Sequence, residues 1–235
     1  MTRGDEVGME TTVLVMCAND QCLAPAGATI LRSALQAHGE WQVQVVSAGI
    51  RAEVGAGWCP QISDQLTKDH DLIMRPHRAQ QVTSELVRAA DLVLVSERKF
   101  RGSARLLDAG SADHTFTFLE AALLAKEALA RTVAEGAAVP AEGSGTAGTG
   151  RLGTRERLVW LLEEMNAMRG LVALPPEQPH GWRRRFARNV EVVGHDILDP
   201  HGERGSHRKA APALREALDS FASSLADASP RTVPA

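Results

Sequence analysis

Residues 13–35 read VLVMCANDQCLAPAGATILRSAL, and the way this stretch divides decides the fold. Val13-Leu14-Val15-Met16 is a short apolar run of the kind that a strand buried on both faces requires. Pro25 opens a different period. Ile30, Leu31, Ala34 and Leu35 share one helical face, and proline suits the first turn, where its missing N–H has no intrahelical partner to lose. Between strand and helix lies the loop Cys17-Ala18-Asn19-Asp20-Gln21-Cys22-Leu23-Ala24. In a strand–loop–helix unit the loop N–H groups converge at the helix N-terminus, making an anion cradle that lowers the pKa of a thiol placed there. A free cysteine is commonly an inert small hydrophobe. Its position at the end of the strand nevertheless makes Cys17 a candidate nucleophile.

Outward from this unit, strands and helices alternate. The first helix runs from about Pro25 to Ala37, with Gly39 suited to its end. A second strand covers Trp41–Val46 and closes in Ser47-Ala48-Gly49; Pro60–Lys68 reads as a short helix, and Thr83 or Ser84 caps another that runs to Ala90. Asp91–Val95 is a third strand, Glu97–Leu107 a basic amphipathic helix, Thr115–Phe118 a fourth strand and Leu119–Thr132 a further helix. Such alternation indicates βα units on a parallel sheet. Residues 1–12 and 229–235 read as tails around a single domain spanning 13–228. A flexible insertion at about 134–154 interrupts it, with six glycines between Glu135 and Thr154. The helical period resumes at Arg155, where Leu158, Leu161, Leu162, Met165 and Met168 form a core stripe, and a last helix covers about Ala211–Ala226.

Composition narrows the function. A chain of 235 residues, 44% hydrophobic and 23% charged, can bury a full core. Its net charge of −3 gives no general attraction to nucleic acid or to a membrane surface. The start, MTRGDEVGMETT, lacks the apolar segment of a secretory leader, so a cytoplasmic location is expected. Three cysteines form neither a disulfide framework nor a paired CxxC zinc pattern. His195, His201 and His207 show no ligand spacing and read as loop histidines, so neither a metal nor another cofactor is called for. Trp182 and Phe186 with Arg183, Arg184, Arg185 and Arg188 read as a solvated basic face rather than a docking site.

These segments, in this order, resemble the low-molecular-weight protein tyrosine phosphatases. That family opens with a strand, a Cys, five residues, an Arg-Ser, then Pro and the first helix; Cys17, Cys22 and Pro25 match it. VVSAGIRAEVG (45–55) is similar to its second strand and Ser-Ala-Gly turn, and HRAQQVTSELVRAADLVLV (77–95) to its following stretch, helix and third strand. DILDPHG (196–202) is similar to its Asp-Pro loop, with His201 where an aromatic is common. The resemblance implies a doubly wound, three-layer α/β sandwich with a four-stranded parallel sheet. It also implies Cys17 as nucleophile, Asp199 as general acid, and substrate binding by Ala18, Asn19, Asp20, Gln21, Cys22, Leu23 and Ala24.

The loop departs from the family where phosphate is gripped. Leu23 stands at the Arg position, Ala24 at the Ser and Asp20 at the mid-loop Asn. Arginine offers phosphoryl oxygens a bidentate fork, and leucine offers nothing. Losing one strong transition-state contact commonly costs about 10²–10³ in rate, or about 3–4 kcal/mol. An ionised Asp20 adds repulsion. Phosphomonoester hydrolysis is therefore expected to be weak or lost. Arg51, just past the Ser-Ala-Gly turn, is the best substitute cation, ahead of Arg32, Arg75 and Arg78. The alternatives are an active phosphatase using such a substitute, a Cys17-dependent enzyme acting on a non-phosphate electrophile, or a Cys17–Cys22 redox pair. The partner expected for an inactive scaffold is a phosphoprotein or a kinase; the oligomeric state is open.

Overall fold

The structure, a computed structural model, describes residues 11–68, 72–134, 153–172, 192–193, 196–201 and 206–228. The Trp182–Arg188 basic cluster, His195, most of the expected insertion and nearly all of both expected tails lie outside these residues.

The chain order is β1 (Thr11–Cys17), α1 (Leu23–Ala37), β2 (Val43–Gly49), α2 (Pro60–Leu66), α3 (Ser84–Ala89), β3 (Leu92–Val95) and α4 (Lys99–Leu107). A 3₁₀ turn (Ala109–His114), β4 (Thr115–Thr117), α5 (Phe118–Ala134), α6 (Thr154–Met168), β5 (Val192–Val193), β6 (Asp196–Ile197) and α7 (His207–Asp227) follow. The first four strands form one parallel sheet in the order β2-β1-β3-β4, and β5 and β6 pair antiparallel.

Alternation along β1 makes the layers, because successive strand side chains point to opposite faces. Val13, Val15 and Cys17 join the core formed with α1, α5, α6 and α7. Leu14, Met16 and Ala18 join the smaller core under α3 and α4, with Val87, Phe100 and Ala104. The expected three-layer, doubly wound α/β sandwich is thus the fold. No described helix is long and apolar enough to cross a membrane.

Local signals act where expected. Gly39 leaves α1 at φ +81°, a conformation open to glycine at little cost. The Thr83 hydroxyl caps α3 by accepting from the Leu86 N–H at 3.3 Å. Some boundaries differ. Thr11 and Thr12, placed in the tail by sequence, pair with Val43 and Gln44, and the Thr12 N–H donates to Asp91 Oδ2 at 2.9 Å. Ala134 still belongs to α5, and Thr154 opens α6, whose Leu158, Leu161 and Met165 are fully buried. Phe118 starts α5 rather than ending β4. Helix α7 begins a turn early, at His207, with Ala210 buried and Pro212 inside the helix.

Order β2-β1-β3-β4 places a switch point between β1 and β3, where successive connections leave the sheet in opposite directions. In an open parallel sheet, the crevice at that carboxyl edge is where ligands are bound. The Cys17 loop sits on it.

Candidate active site

Cys17 ends β1 with its side chain buried, 5% exposed. The backbone N–H groups of Ala24, Asp20 and Asn19 point at its sulfur, so the loop is closed around the thiol as an anion cradle. Burial nevertheless dominates and pushes the thiol up to about 11; the three N–H groups pull it down, and the Asp20 carboxylate adds a smaller upward push. Cys22, at the other end of the loop, is raised further still by burial, then by the nearby Cys59 and Cys17. Neither thiol has the low pKa that an exchange-active redox pair needs.

The loop is held from three sides. The Ile50 N–H donates to the Cys17 carbonyl at 3.0 Å, the Arg51 N–H to that of Ala18 at 2.7 Å, and the Cys59 N–H to that of Gln21 at 2.7 Å. Gly49 explains why the Ser-Ala-Gly turn ends in glycine. A Cβ there would lie 2.7 Å from the Asn19 carbonyl carbon and 2.8 Å from the Asp20 nitrogen, so any larger residue would push the loop off the strand end.

Asp20 is placed differently from the sequence expectation. It adopts φ +54°, the left-handed region that Asp and Asn tolerate better than most residues. Its side chain is fully buried, away from the cavity beside Cys17. Oδ2 accepts the Gln80 N–H at 2.9 Å and lies 3.6 Å from His77 Nε2, while the Asp20 carbonyl is 2.5 Å from that same nitrogen. Burial raises its carboxyl above the ordinary range; the Gln80 N–H, the Ser47 hydroxyl and His77 act the other way. Asp20 is thus a brace between the loop and residues 77–81, and its charge reaches the cradle only as the smaller upward push on Cys17. Gln80 was not singled out from sequence. It also donates from Nε2 to the Ser47 carbonyl at 2.8 Å, and only the fold brings these segments together.

A cavity of about 270 Å³ opens beside Cys17, lined by Cys17, Asn19, Gln21, Cys22, Leu23, Asp199 and His201. The structure therefore brings Cys17 and Asp199 to one cavity across 182 positions of sequence (199 − 17). The Asp199 loop is positioned by the Ile197 N–H, which donates to the Ser96 carbonyl at 3.0 Å, and by Asp196, whose Oδ1 accepts the Arg98 N–H at 2.7 Å. Asp199 Oδ1 accepts the His201 N–H at 2.9 Å and closes the turn. Ala18, Asp20 and Ala24 supply only backbone to the site, since their side chains are buried outside the cavity lining.

Among the described residues lining the cavity there is no Arg or Lys. Arg51 is exposed and contributes its backbone alone, so the structure does not bring its side chain to the cavity wall. Arg32 Nη2 donates to the Val45 carbonyl at 2.7 Å, and Arg78 Nη1 to the Gly55 carbonyl at 3.2 Å. Leu23 is 1% exposed and packs into the large core.

The family model for low molecular weight phosphotyrosine protein phosphatases matches residues 12–159. Over 91 residues the chain is 33% identical to a probable low molecular weight protein-tyrosine-phosphatase, AmsI, of Erwinia amylovora, covering 39% of this chain and 59% of that protein. Over 87 residues it is 39% identical to the corresponding EpsP of Ralstonia solanacearum, covering 37% of this chain and 56% of that one. The chain thus spans a little over half the length of these relatives. In structure it is similar to the crystal structure of AmsI, with a TM-score of 0.52 at 18% identity, covering 92% of this chain and 93% of that one. It is likewise similar to the solution structure of a low molecular weight protein tyrosine phosphatase from Bacillus subtilis, with a TM-score of 0.53 at 18% identity, covering 92% and 97%. At such identity these two likenesses concern the fold. With well over half of its residues matched by the family model, the chain belongs to the low molecular weight phosphotyrosine protein phosphatase family.

Proposed function

We propose that this protein is a divergent member of the family in which phosphomonoester hydrolysis through Cys17 is weak or lost. The reaction in view is a two-step transfer. The Cys17 thiolate attacks phosphorus, the departing aryl oxygen takes a proton from Asp199, and water then cleaves the phosphocysteine. Between those two residues, charge on the equatorial oxygens must be neutralised, and positioning plus electrostatics supply nearly all of the catalysis. The observation that carries the proposal is the lining of the cavity: Leu23 occupies the wall where a guanidinium would serve, and no described lining residue is an Arg or Lys. The missing cation acts twice. It leaves the oxyanion without a fork, and it leaves nothing in the lining to offset the burial that pushes the Cys17 thiol up to about 11.

The same substitution weakens capture of a phosphate group. A phosphoprotein or kinase partner would then be held by the rim of the site rather than by phosphate seated over Cys17. Turnover of an aryl phosphate by wild type, Cys17→Ser and Leu23→Arg tests the reading. The expected result is a wild type little above Cys17→Ser and a gain of about 10²–10³ in Leu23→Arg. A wild type that turns over at the rate of Leu23→Arg, and loses that rate in Cys17→Ser, would sink it.

A further inference from the structure

Four side chains left out of the proposed mechanism meet at one side of the cavity, which Cys22 and His201 help to line. They come from separate parts of the chain: Cys22 before α1, Cys59 before α2, His201 after the Asp199-Pro200 turn, and His207 at the start of α7. One ligand atom from each lies within 4.8 Å of all the others. Cys59 Sγ is 3.2 Å from His207 Nε2, and the His201 and His207 rings meet edge-on with centroids 4.9 Å apart. Both cysteines are buried, His207 is half-buried and His201 is exposed.

From this convergence we propose that Cys22, Cys59, His201 and His207 form a tetrahedral binding site for a zinc-class divalent cation. Two thiolates and two imidazoles are the donor set of closed structural zinc sites. Zinc–sulfur bonds of about 2.3 Å and zinc–nitrogen bonds of about 2.0–2.1 Å set tetrahedral edges of about 3.3–3.8 Å. The present spread of up to 4.8 Å closes onto these edges with side-chain shifts of about an ångström. Hydrogen bonding alone accounts poorly for the cluster. Cys59 has a partner in Gln61 Oε1 at 3.1 Å, yet two thiols gathered with two imidazoles form only weak hydrogen bonds.

Binding balances simply. The cation displaces one proton from each ligating thiol, nothing is oxidised, and two thiolates cancel the charge of the ion. The site would therefore lend no net cation to the phosphate cradle. It would instead staple the Cys17 loop to the Asp199 turn and α7, fixing the distance between the two proposed reacting groups. Metal uptake reads these four ligands and aryl-phosphate turnover reads Cys17 and Leu23, so either reading can fail without the other.

The experiment is titration of the reduced, metal-stripped full chain with cobalt(II), followed by displacement with zinc. One equivalent of cobalt should give the intense visible bands of tetrahedral thiolate coordination, zinc should bleach them, and about two protons should be released per zinc at pH 7. Cys17→Ser should keep the bands. Cys59→Ser and His207→Ala should each weaken zinc binding beyond the 10–100-fold that loss of an outer partner costs. Absence of the bands in the reduced wild type overturns the site, and that arm needs no variant to fold. So do bands that survive Cys59→Ser or vanish in Cys17→Ser, and so does a Cys22–Cys59 disulfide in a chain that takes up no metal once reduced.

Discussion

The two ends of the Cys17 loop differ in what holds them and in what fills them. At the Asp20 end four features support the loop's shape: the left-handed residue, the bond to the Gln80 N–H, the His77 contact and the close approach of Gly49. At the Leu23 end the backbone still closes on the sulfur through the Ala24 N–H, but the side chains are apolar and buried. Shape and charge are therefore separable in this loop. Backbone hydrogen bonds and steric fit hold a cradle together whether or not a cation completes it, and chemistry on a dianion needs both.

The most direct way to break this contrast is to restore the charge. Leu23→Arg should raise aryl-phosphate turnover by about 10²–10³, equivalent to about 3–4 kcal/mol of transition-state stabilisation. No gain in a folded variant would mean that the Asp20 end, too, has lost the geometry that catalysis needs. The thiol gives a sharper reading of the same end. Because the thiolate is the nucleophile, iodoacetamide labelling of Cys17, followed by mass spectrometry, should climb about tenfold per pH unit and level off only near pH 11. Levelling below pH 8 would show a cation near the sulfur after all.

The shape-keeping end is tested by crowding it. Gly49→Ala puts a methyl group 2.7 Å from backbone that cannot yield cheaply, and should cost about 1–3 kcal/mol in urea unfolding. A neutral outcome would mean that the loop does not press on the end of β2. The smallest effect is expected at Asp20. Its folded pKa lies above the unfolded value of 3.8, so the folded state holds the proton more tightly and Asp20 loses stability as pH rises through the folded value. Asp20→Asn keeps an acceptor for the Gln80 N–H and tolerates the positive φ. Its stability relative to wild type should rise from pH 4 to pH 7 in thermal unfolding, and a fall over that range would show a carboxylate stabilised by His77 rather than penalised by burial.

Much of this was readable along the chain because it is local. The apolar run at 13–16, the period after Pro25 and the caps at Gly39 and Thr83 each act within a few residues. Boundaries slipped where tertiary packing outvoted local signals, as at Thr11–Thr12, which β2 and Asp91 recruit into the sheet, and at Ala210, which is buried in α7 ahead of Pro212. Asp20 misled for a related reason. Its charge is visible in the sequence, but the direction of its side chain depends on Gln80, 60 positions away.

The sequence by itself determined that a cysteine ends a buried strand, that a loop and helix follow it, and that the loop carries leucine where a family arginine would stand. These are facts of residue identity and short-range period. Only the tertiary structure decided which way Asp20 faces, that Arg51 stays away from the cavity wall, and that Cys22, Cys59, His201 and His207 converge. Those outcomes depend on contacts between segments far apart in the chain, and such contacts leave no regular spacing to be read.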